Sequence, residues 1–534
     1  MNLIQDPWLD YIHRNGDIKK RPITAICDPD VVDFSLPRAD FYGAAYQFAI
    51  GLLQTAFAPK DLSQWHHYFK TPPADVVLEE AFNQVSHAFN VVGEGPLFMQ
   101  DFDSLEDAPS TTVSGLLIEA PGANGIKNNT DYFIKRGIGQ VLSLEMAALA
   151  LFTFQINTVP NRGCKNGRAG LRGVGPLTTL IMPTNTKSTL WHKLWLNIIN
   201  RKDFKYNEPC FSDASVFPWL GKTKVSDKPG SEIYPSNLHP LHMYWAMPYR
   251  IRLSCENRVA CCDISGEKSY SVSSCKFKGY GNSYKGNWIH PLTPYRVKKE
   301  SGENKYLPFG GHCNEFYHKN WTSLFLNHDS YGLKCAQVVD RFYSLRLNSQ
   351  DGVDPHIPRL WMFGYDINNS ARVDGWYSST FPIFYLDLNK KNEIVLEVNT
   401  LQDLSVKSLK QLRDQIKNAW FDRPKDAKGD TSFIDLAFWQ KTESGFFTAV
   451  SQLIENIEQE DESLTPEQAK KWLNILRAVC FDLFDGYAMT ELGNARNMAR
   501  RIKARQTLSW WLFNSKDIKA FIREHDIAID KEIA

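Results

Sequence analysis

Two loops carry the residue types best suited to chemistry on an anion. Between Pro121 and Gly175 the chain holds seven Lys/Arg against two Asp/Glu, interleaved with Asn and Gly. The second loop reads Val159-Pro-Asn-Arg-Gly-Cys-Lys-Asn-Gly-Arg-Ala-Gly-Leu-Arg-Gly-Val-Gly175. Glycine lets main chain approach a ligand closely, while amides and guanidinium groups bond phosphates and base edges. Nucleic acid is therefore the first ligand class to weigh. On residue types alone, a Gly-rich connection with solvated charges explains the same letters equally well. A second basic stretch, Arg250 to Lys299, has ten Lys/Arg against Glu256, Asp263 and Glu267, with Tyr280, Tyr284, Trp288 and Tyr295 interleaved. Basic residues alternating with aromatics on strands suit a nucleic-acid face, as they also suit a solvated hairpin.

Covalent chemistry finds no matching set. His239-Pro-Leu-His242 is too short and proline-bound for a zinc-protease helix, and Gly279-Tyr-Gly281 lacks the third glycine of a dinucleotide fingerprint. No G-x-S-x-G or Walker sequence occurs. The stretch from Cys255 through Cys261 and Cys262 to Cys275 comes closest to a metal site. A zinc ribbon needs two C-x₂-C-like pairs, and Cys262-Asp-Ile-Ser265 has serine where a second thiolate belongs. The expectation is no catalytic residue, no metal and no cofactor. The alternative is a metal-dependent nucleic-acid-processing enzyme using Cys/His residues of this middle region.

The elements that must position these loops begin with the apolar helix between them, centred on Met146-Ala-Ala-Leu-Ala-Leu-Phe152. The first forty residues read as short strands and turns, with Asn15-Gly16 a turn signal. Phe41 to Phe57 reads as a buried helix, and Asp75 to Phe89 as a second, with Val77, Phe82, Val85 and Phe89 at helical spacing. Trp191 to Ile199 predicts a further helix, and Arg296 to Pro308 a hairpin around Ser301-Gly-Glu-Asn304. After Ile394-Val-Leu-Glu-Val398 the pattern turns helical. Val406, Leu409, Leu412, Ile416 and Trp420 keep helical spacing, Phe433 to Ile457 continues it, Thr465-Pro-Glu-Gln468 is a capping box, and Glu491 to Ile522 closes the set. The fold class expected is α+β: a large mixed α/β N-terminal domain over residues 1–398, then a C-terminal four-helix bundle over 399–534. Between Lys441 and Glu491 ten acidic residues face four basic ones, and the basic cluster Arg496, Arg500, Arg501, Lys503 and Arg505 then reverses the sign. That cluster is a further candidate for steering DNA.

Composition narrows the setting. A chain of 534 residues exceeds one ordinary domain, and a net charge of +1 excludes a uniformly basic nucleic-acid coat. Ten cysteines without even spacing exclude a secreted disulfide scaffold. The opening Met1-Asn-Leu-Ile-Gln-Asp-Pro-Trp8 lacks a basic then apolar leader, and the apolar run Phe41 to Ala58 is interrupted by Tyr46, Gln47 and Gln54. A cytoplasmic protein with no membrane contact is expected.

An ordered set of motifs carries a family likeness. It comprises Met1-Asn-Leu-Ile-Gln-Asp-Pro-Trp8, Ser35-Leu-Pro-Arg38, Lys127-Asn-Asn-Thr-Asp-Tyr-Phe-Ile-Lys-Arg-Gly137 and Ala148-Leu-Ala-Leu-Phe152. Gly170-Leu-Arg-Gly-Val-Gly-Pro-Leu-Thr-Thr179, Trp288-Ile-His-Pro-Leu-Thr-Pro294 and Gly364-Tyr-Asp-Ile-Asn-Asn-Ser-Ala-Arg372 follow in order. Along its whole length the chain resembles the CasA family, the large subunit of the type I-E CRISPR surveillance complex Cascade. The resemblance implies a non-catalytic subunit that recognises the protospacer-adjacent motif in duplex DNA from the minor groove. It would also help open the duplex for guide-RNA pairing and dock the recruited helicase-nuclease. Implied partners are the other Cascade subunits, the 5′ handle of the CRISPR RNA, double-stranded target DNA and that helicase-nuclease. Minor-groove readout is degenerate, because A·T and T·A present nearly the same acceptors, so tolerance of several flanking motifs is expected.

Residue by residue, the resemblance assigns a glycine loop with Gly163, Cys164, Lys165, Asn166 and Gly167 at its tip. It assigns the motif-reading lysine to Lys278, with Lys276 the near alternative and Lys285 after it. The wedge that splits the first target base pair falls on Asn368, Asn369, Ser370 and Ala371. Some members carry glutamine at the wedge tip, where this chain has Ser370, so Asn369 or Arg372 are alternatives for filling the gap. A guide-RNA loop falls on Lys127, Asn128, Asn129, Tyr132 and Phe133, whose amides and aromatic faces suit unstacked bases. Some members also pair cysteines where this chain has Ser143 and Met146.

Overall fold

Apolar residues on every side of Leu144–Ile156 leave that helix no solvent face, and it packs accordingly, with Leu144 and Met146 through Gln155 buried. Ser143 caps it, its hydroxyl accepting from the Met146 amide at 3.3 Å, with Glu145 in the first turn. The computed structural model describes the chain apart from residues 122, 130–136, 158, 186–187, 311–316, 326, 328–331, 346–357, 368–372, 385, 388, 427–428, 461–462, 491–496 and 529–534. Two units divide the chain: residues 1–312 with 327–383, and residues 313–326 with 384–534.

In the first unit the Leu144–Ile156 helix packs on the equally buried helix Ala39–Ala56. Phe48 of the latter anchors the core. Its ring meets Trp8, Phe89, Phe98, Phe152 and Trp245 edge-on, with centroids 5.4 to 5.8 Å apart. Around this helical centre the described residues form four antiparallel sheets. Leu9–His13 lies between Ile18–Arg21 and Val31–Phe34. Arg359–Ile367 lies between Val373–Pro382 and Thr178–Met182, and Tyr295–Glu300 between Glu303–Pro308 and Leu333–Lys334. Lys268–Lys278 pairs with Ser110–Thr112, Leu142–Ser143 and the long strand Arg250–Cys261. The mixed α+β class follows from the sequence patterns as expected.

Several boundaries differ from the periodicity. The helix expected over Asp75 to Phe89 stops at Asn83 and resumes as a short 3₁₀ turn, Ser86–Ala88. The Ser86 hydroxyl donates to the Asn83 carbonyl at 3.1 Å, the local competition that serine offers a helix. The helix expected over Trp191 to Ile199 is Leu190–Trp195, because the Asn197 side chain accepts from the Ile181 amide (2.7 Å) and donates to its carbonyl (2.9 Å). The hairpin at Arg296 to Pro308 is present, with Ser301-Gly302 as its turn.

The second unit carries four long helices among its described residues: Lys391–Trp420, Ser432–Glu460, Pro466–Ala488 and Met498–Asn514. The first packs against each of the other three. Ile394-Val-Leu-Glu-Val398 lies inside the first helix, not ahead of it: a short apolar run does not distinguish strand from helix, and Ile394, Val395 and Val398 form its buried face. The second unit accordingly takes in residues 313–326 and resumes at Phe384, ahead of the expected 398/399 boundary. The pattern from Glu491 to Ile522 breaks at Ser515, which caps a further short helix, Lys516–Glu524. No helix among the described residues is long and apolar enough to cross a membrane.

Candidate nucleic-acid interface

The end of the Leu144–Ile156 helix builds the platform for the second loop. Phe154 packs edge-on against Tyr249 (5.1 Å) and Phe277 (5.5 Å). Gln155 holds the Tyr249 backbone from both sides, accepting from its amide at 3.1 Å and donating to its carbonyl at 3.0 Å. The Tyr249 hydroxyl in turn donates to the Val159 carbonyl at 2.6 Å and accepts from the Arg162 amide at 3.1 Å. One aromatic side chain therefore fixes the entry of the glycine loop. Gly163 rests on the Phe277 ring, and a Cβ at Gly167 would overlap the Tyr249 hydroxyl.

The loop tip is hooked to the strand that carries Lys278. The Tyr280 amide donates to the Asn166 carbonyl at 3.0 Å, and a Cβ at Gly279 would overlap the Lys165 carbonyl. Only glycine fits at position 279 without moving the tip. Arg168 donates to the Ser226 hydroxyl at 2.7 Å and lies over the Tyr280 ring at 5.7 Å. Lys165 and Asn166 are exposed. Cys164 is half-buried, and burial pushes its thiol up to about 11, so it stays protonated near neutrality. Two segments assigned separately in the sequence, the Gly163–Gly167 tip and the Lys276–Lys278 strand end, thus form one surface.

On that strand the alternation sorts roles. Cys275 and Phe277 face the core, while Lys276 and Lys278 face outward. Their cross-strand partners are Arg252 and Arg250, so the four cations share one face. Acidic residues of the 101–107 segment answer them. Arg250 donates to buried Asp101 (2.7 and 3.3 Å) and to Asp103 (2.9 Å), Arg252 to the Asp101 carbonyl (3.1 Å), and Lys278 to Asp107 at 2.6 Å.

The root of the first loop meets the second through Arg162, which donates to the carbonyls of Leu117 (2.8 Å) and Ala120 (2.6 Å). Lys127 ends the short helix Ala123–Lys127, and it, Asn128 and Asn129 are exposed. Tyr132 and Phe133 lie outside the described residues, as do Asn368, Asn369, Ser370, Ala371 and Arg372. The strands either side of residues 368–372 pair with each other, with Ile367 opposite Val373. A groove of about 470 Å³ lies between Leu117, Glu119, Ile126 and Ile138 on one side and Val373 to Gly375 on the other, with Arg38 at its wall. The roots of the first loop and of the Arg359–Ile367/Val373–Pro382 strand pair therefore line one groove.

Sequence reasoning missed two supports. Arg172 reads as a loop charge but is buried, donating to Gln47 (2.6 Å), the Thr293 hydroxyl (2.8 Å), the Thr178 hydroxyl and the Leu177 carbonyl (3.4 Å). Burial pulls its guanidinium down to about 10, and neutral oxygens answer it. It ties the loop exit to the central helix. Nothing in its spacing separates it from Arg168. Tyr249 gave no signal either, being one aromatic among many.

The cysteines of the middle region do not converge. Cys275 faces Thr111 across the sheet, Cys261 lies at the hairpin end against the Gly266 carbonyl, and the Cys262 sulfur accepts from the Ser265 amide. The Ser265 position that broke the zinc pattern thus bonds a thiol by its backbone. His242 is buried against the Tyr284 hydroxyl at 2.9 Å, and His239 holds the Leu241 amide. Among the described residues no group of three His, Cys, Asp or Glu is placed to hold a metal.

The order of motifs and this surface bear on ancestry together. The family model of CRISPR-associated protein Cse1 matches residues 2–483. The chain belongs to the Cse1 family, also called CasA. Solved structures agree at the level of fold. CasA from Thermus thermophilus is 15% identical with a TM-score of 0.68, covering 96% of this chain and 100% of that one. Cse1 from Acidimicrobium ferrooxidans is 14% identical with a TM-score of 0.65, covering 98% and 99%. A CRISPR RNA-guided surveillance complex contains a chain 16% identical with a TM-score of 0.65, covering 95% and 99%. No curated protein matches.

Proposed function

We propose that this Cse1-family chain is the non-catalytic large subunit of a type I-E Cascade complex and reads the motif flanking the target. In this reading the exposed tip around Lys165 and Asn166 approaches the minor groove, with Gly163, Cys164 and Gly167 shaping it. Lys278 reaches a base-edge or backbone acceptor beside it, with Lys276 adjacent. Asn368 to Ala371 serve as the wedge, and Lys127, Asn128, Asn129, Tyr132 and Phe133 meet the guide-RNA handle. The subunit helps open the duplex and docks the recruited helicase-nuclease. The observation that carries the reading is the Tyr280–Asn166 backbone bond, which makes loop tip and Lys278 one surface.

The test uses duplex targets with varied flanking sequence and the complex assembled with guide RNA. Lys278→Ala is expected to weaken target binding by ~1–2 kcal/mol while assembly with guide RNA is unchanged. Gly167→Val, which drives a side chain into the Tyr249 hydroxyl, is expected to do at least as much. Affinity that ignores both changes across all flanks would refute the assignment. Metal-dependent cutting by the isolated chain, abolished by a histidine or cysteine change in the middle region, would favour the enzyme alternative.

A further inference from the structure

Lys278 meets an acid on its own chain. Its ammonium lies 2.6 Å from the Asp107 carboxylate, with the side chains 37% and 70% exposed. Arg250, directly across the ladder, is already matched by Asp101 and Asp103, so Asp107 is directed at Lys278. The bond from Lys278 holds the Asp107 carboxyl below the usual carboxylate range, so it carries its charge near neutral pH. Asp107 follows Glu106 on a segment bordering the edge strand Ser110–Thr112, which pairs with Lys276 through Ser110.

An anion and a neutral acceptor meet this pair differently. A phosphate oxygen within reach of Lys278 also faces the Asp107 charge a few ångströms away and is repelled. The acceptors on the minor-groove floor, adenine N3 and thymine O2, are uncharged and pay no such penalty. Phosphates outnumber every other acceptor on DNA and carry no sequence information. A bare lysine there would bind any duplex.

We infer that Asp107 is a specificity-determining residue: it competes with DNA for Lys278 and biases that lysine away from phosphates and toward base edges. This rests on the reading that Lys278 contacts the target flank. Exposed pairs of this kind are weak and screened by salt, so a well-placed acceptor can displace the carboxylate.

Asp107→Asn tests it, in the complex assembled with guide RNA, using duplexes that carry every flanking trinucleotide at two salt concentrations. Affinity for poorly bound flanks is expected to rise roughly three- to five-fold, more than for the preferred ones, so discrimination narrows. The slope of log affinity against log salt should steepen by about one counterion. In a Lys278→Ala background Asp107→Asn should add no flank-dependent change. A silent Asp107→Asn beside an effective Lys278→Ala overturns this inference alone. So does an equal Asp107→Asn effect with and without Lys278. If Lys278→Ala leaves every flank unaffected, the Lys278 assignment fails and this inference falls with it. The exposure of Asp107 keeps folding out of the comparison, and an unchanged melting temperature checks that.

Discussion

Tyr249 holds the glycine loop by a single oxygen. Its hydroxyl serves the Val159 carbonyl and the Arg162 amide while its ring fills the space that Gly167 leaves open. Tyr249→Phe keeps the ring and removes both bonds. One of these bonds is buried and the other part-buried, and such bonds are worth ~1 kcal/mol each, so stability is expected to fall by ~1–2 kcal/mol. Loss of flank discrimination beyond loss of overall affinity, in the varied-flank binding assay, is the outcome a positioning role requires. Arg172 is the other concealed residue. Arg172→Met removes a buried cation and its hydrogen bonds to Gln47, Thr178 and Thr293, leaving the Thr178–Gln47 bond (3.2 Å) in place; thermal denaturation should show a loss of ~2–3 kcal/mol.

Among the elements, the bundle helix Pro466–Ala488 shows how local sequence alone sets a start. Thr465 accepts from the Gln468 amide (3.4 Å), Gln468 accepts from the Thr465 amide (2.9 Å), and proline stands in the first turn. Thr465→Ala is expected to cost the bundle ~1 kcal/mol by chemical denaturation. The basic cluster on Met498–Asn514 teaches the opposite lesson. Arg500 donates to the carbonyls of Ala419 and Trp420 at the end of Lys391–Trp420 and pairs with Asp422. Arg505 clasps Asp485 and lies over Phe481 at 4.0 Å. These arginines cap and pin helices. A run of like charges in sequence does not say which members face solvent.

Across the whole molecule, each unit holds a histidine that burial keeps neutral. His242 in the first and His318 in the second are both pushed down to about 3. An unfolded histidine titrates near 6.5, so between about 6.5 and 3 the unfolded chain binds protons that the folded units refuse. Stability is therefore full above about pH 6.5 and falls as pH drops below it, by up to ~1.4 kcal/mol per pH unit for each group. Denaturation at pH 7.5 and 5.5 should show the loss. His318 packs against Phe446 at 4.6 Å and Trp439 at 4.9 Å, so His318→Phe should flatten the pH response of the bundle unit.

What the chain alone disclosed was whatever depends on near neighbours. Apolar runs announced the two central helices, the capping box announced the helix from Pro466, and Ser301-Gly302 announced a hairpin, because each depends on residues a few positions apart. The ordered motifs likewise disclosed the Cse1 family. Boundaries set by distant partners were not legible: Asn197 leaves its helix for the strand at Ile181. Nor was the surface that joins the loop tip to Lys278. Lys278 meets Asp107 across a separation of 171 residues, Arg172 meets Gln47 across 125, and the Asn166 carbonyl meets Tyr280 just past the end of the strand that carries Lys278. Charge and glycine content showed which residues were able to touch a nucleic acid. Only the packing of Phe154, Tyr249 and Phe277 decided which of them stand side by side, because contacts across long loops are chosen by core shape and not by spacing.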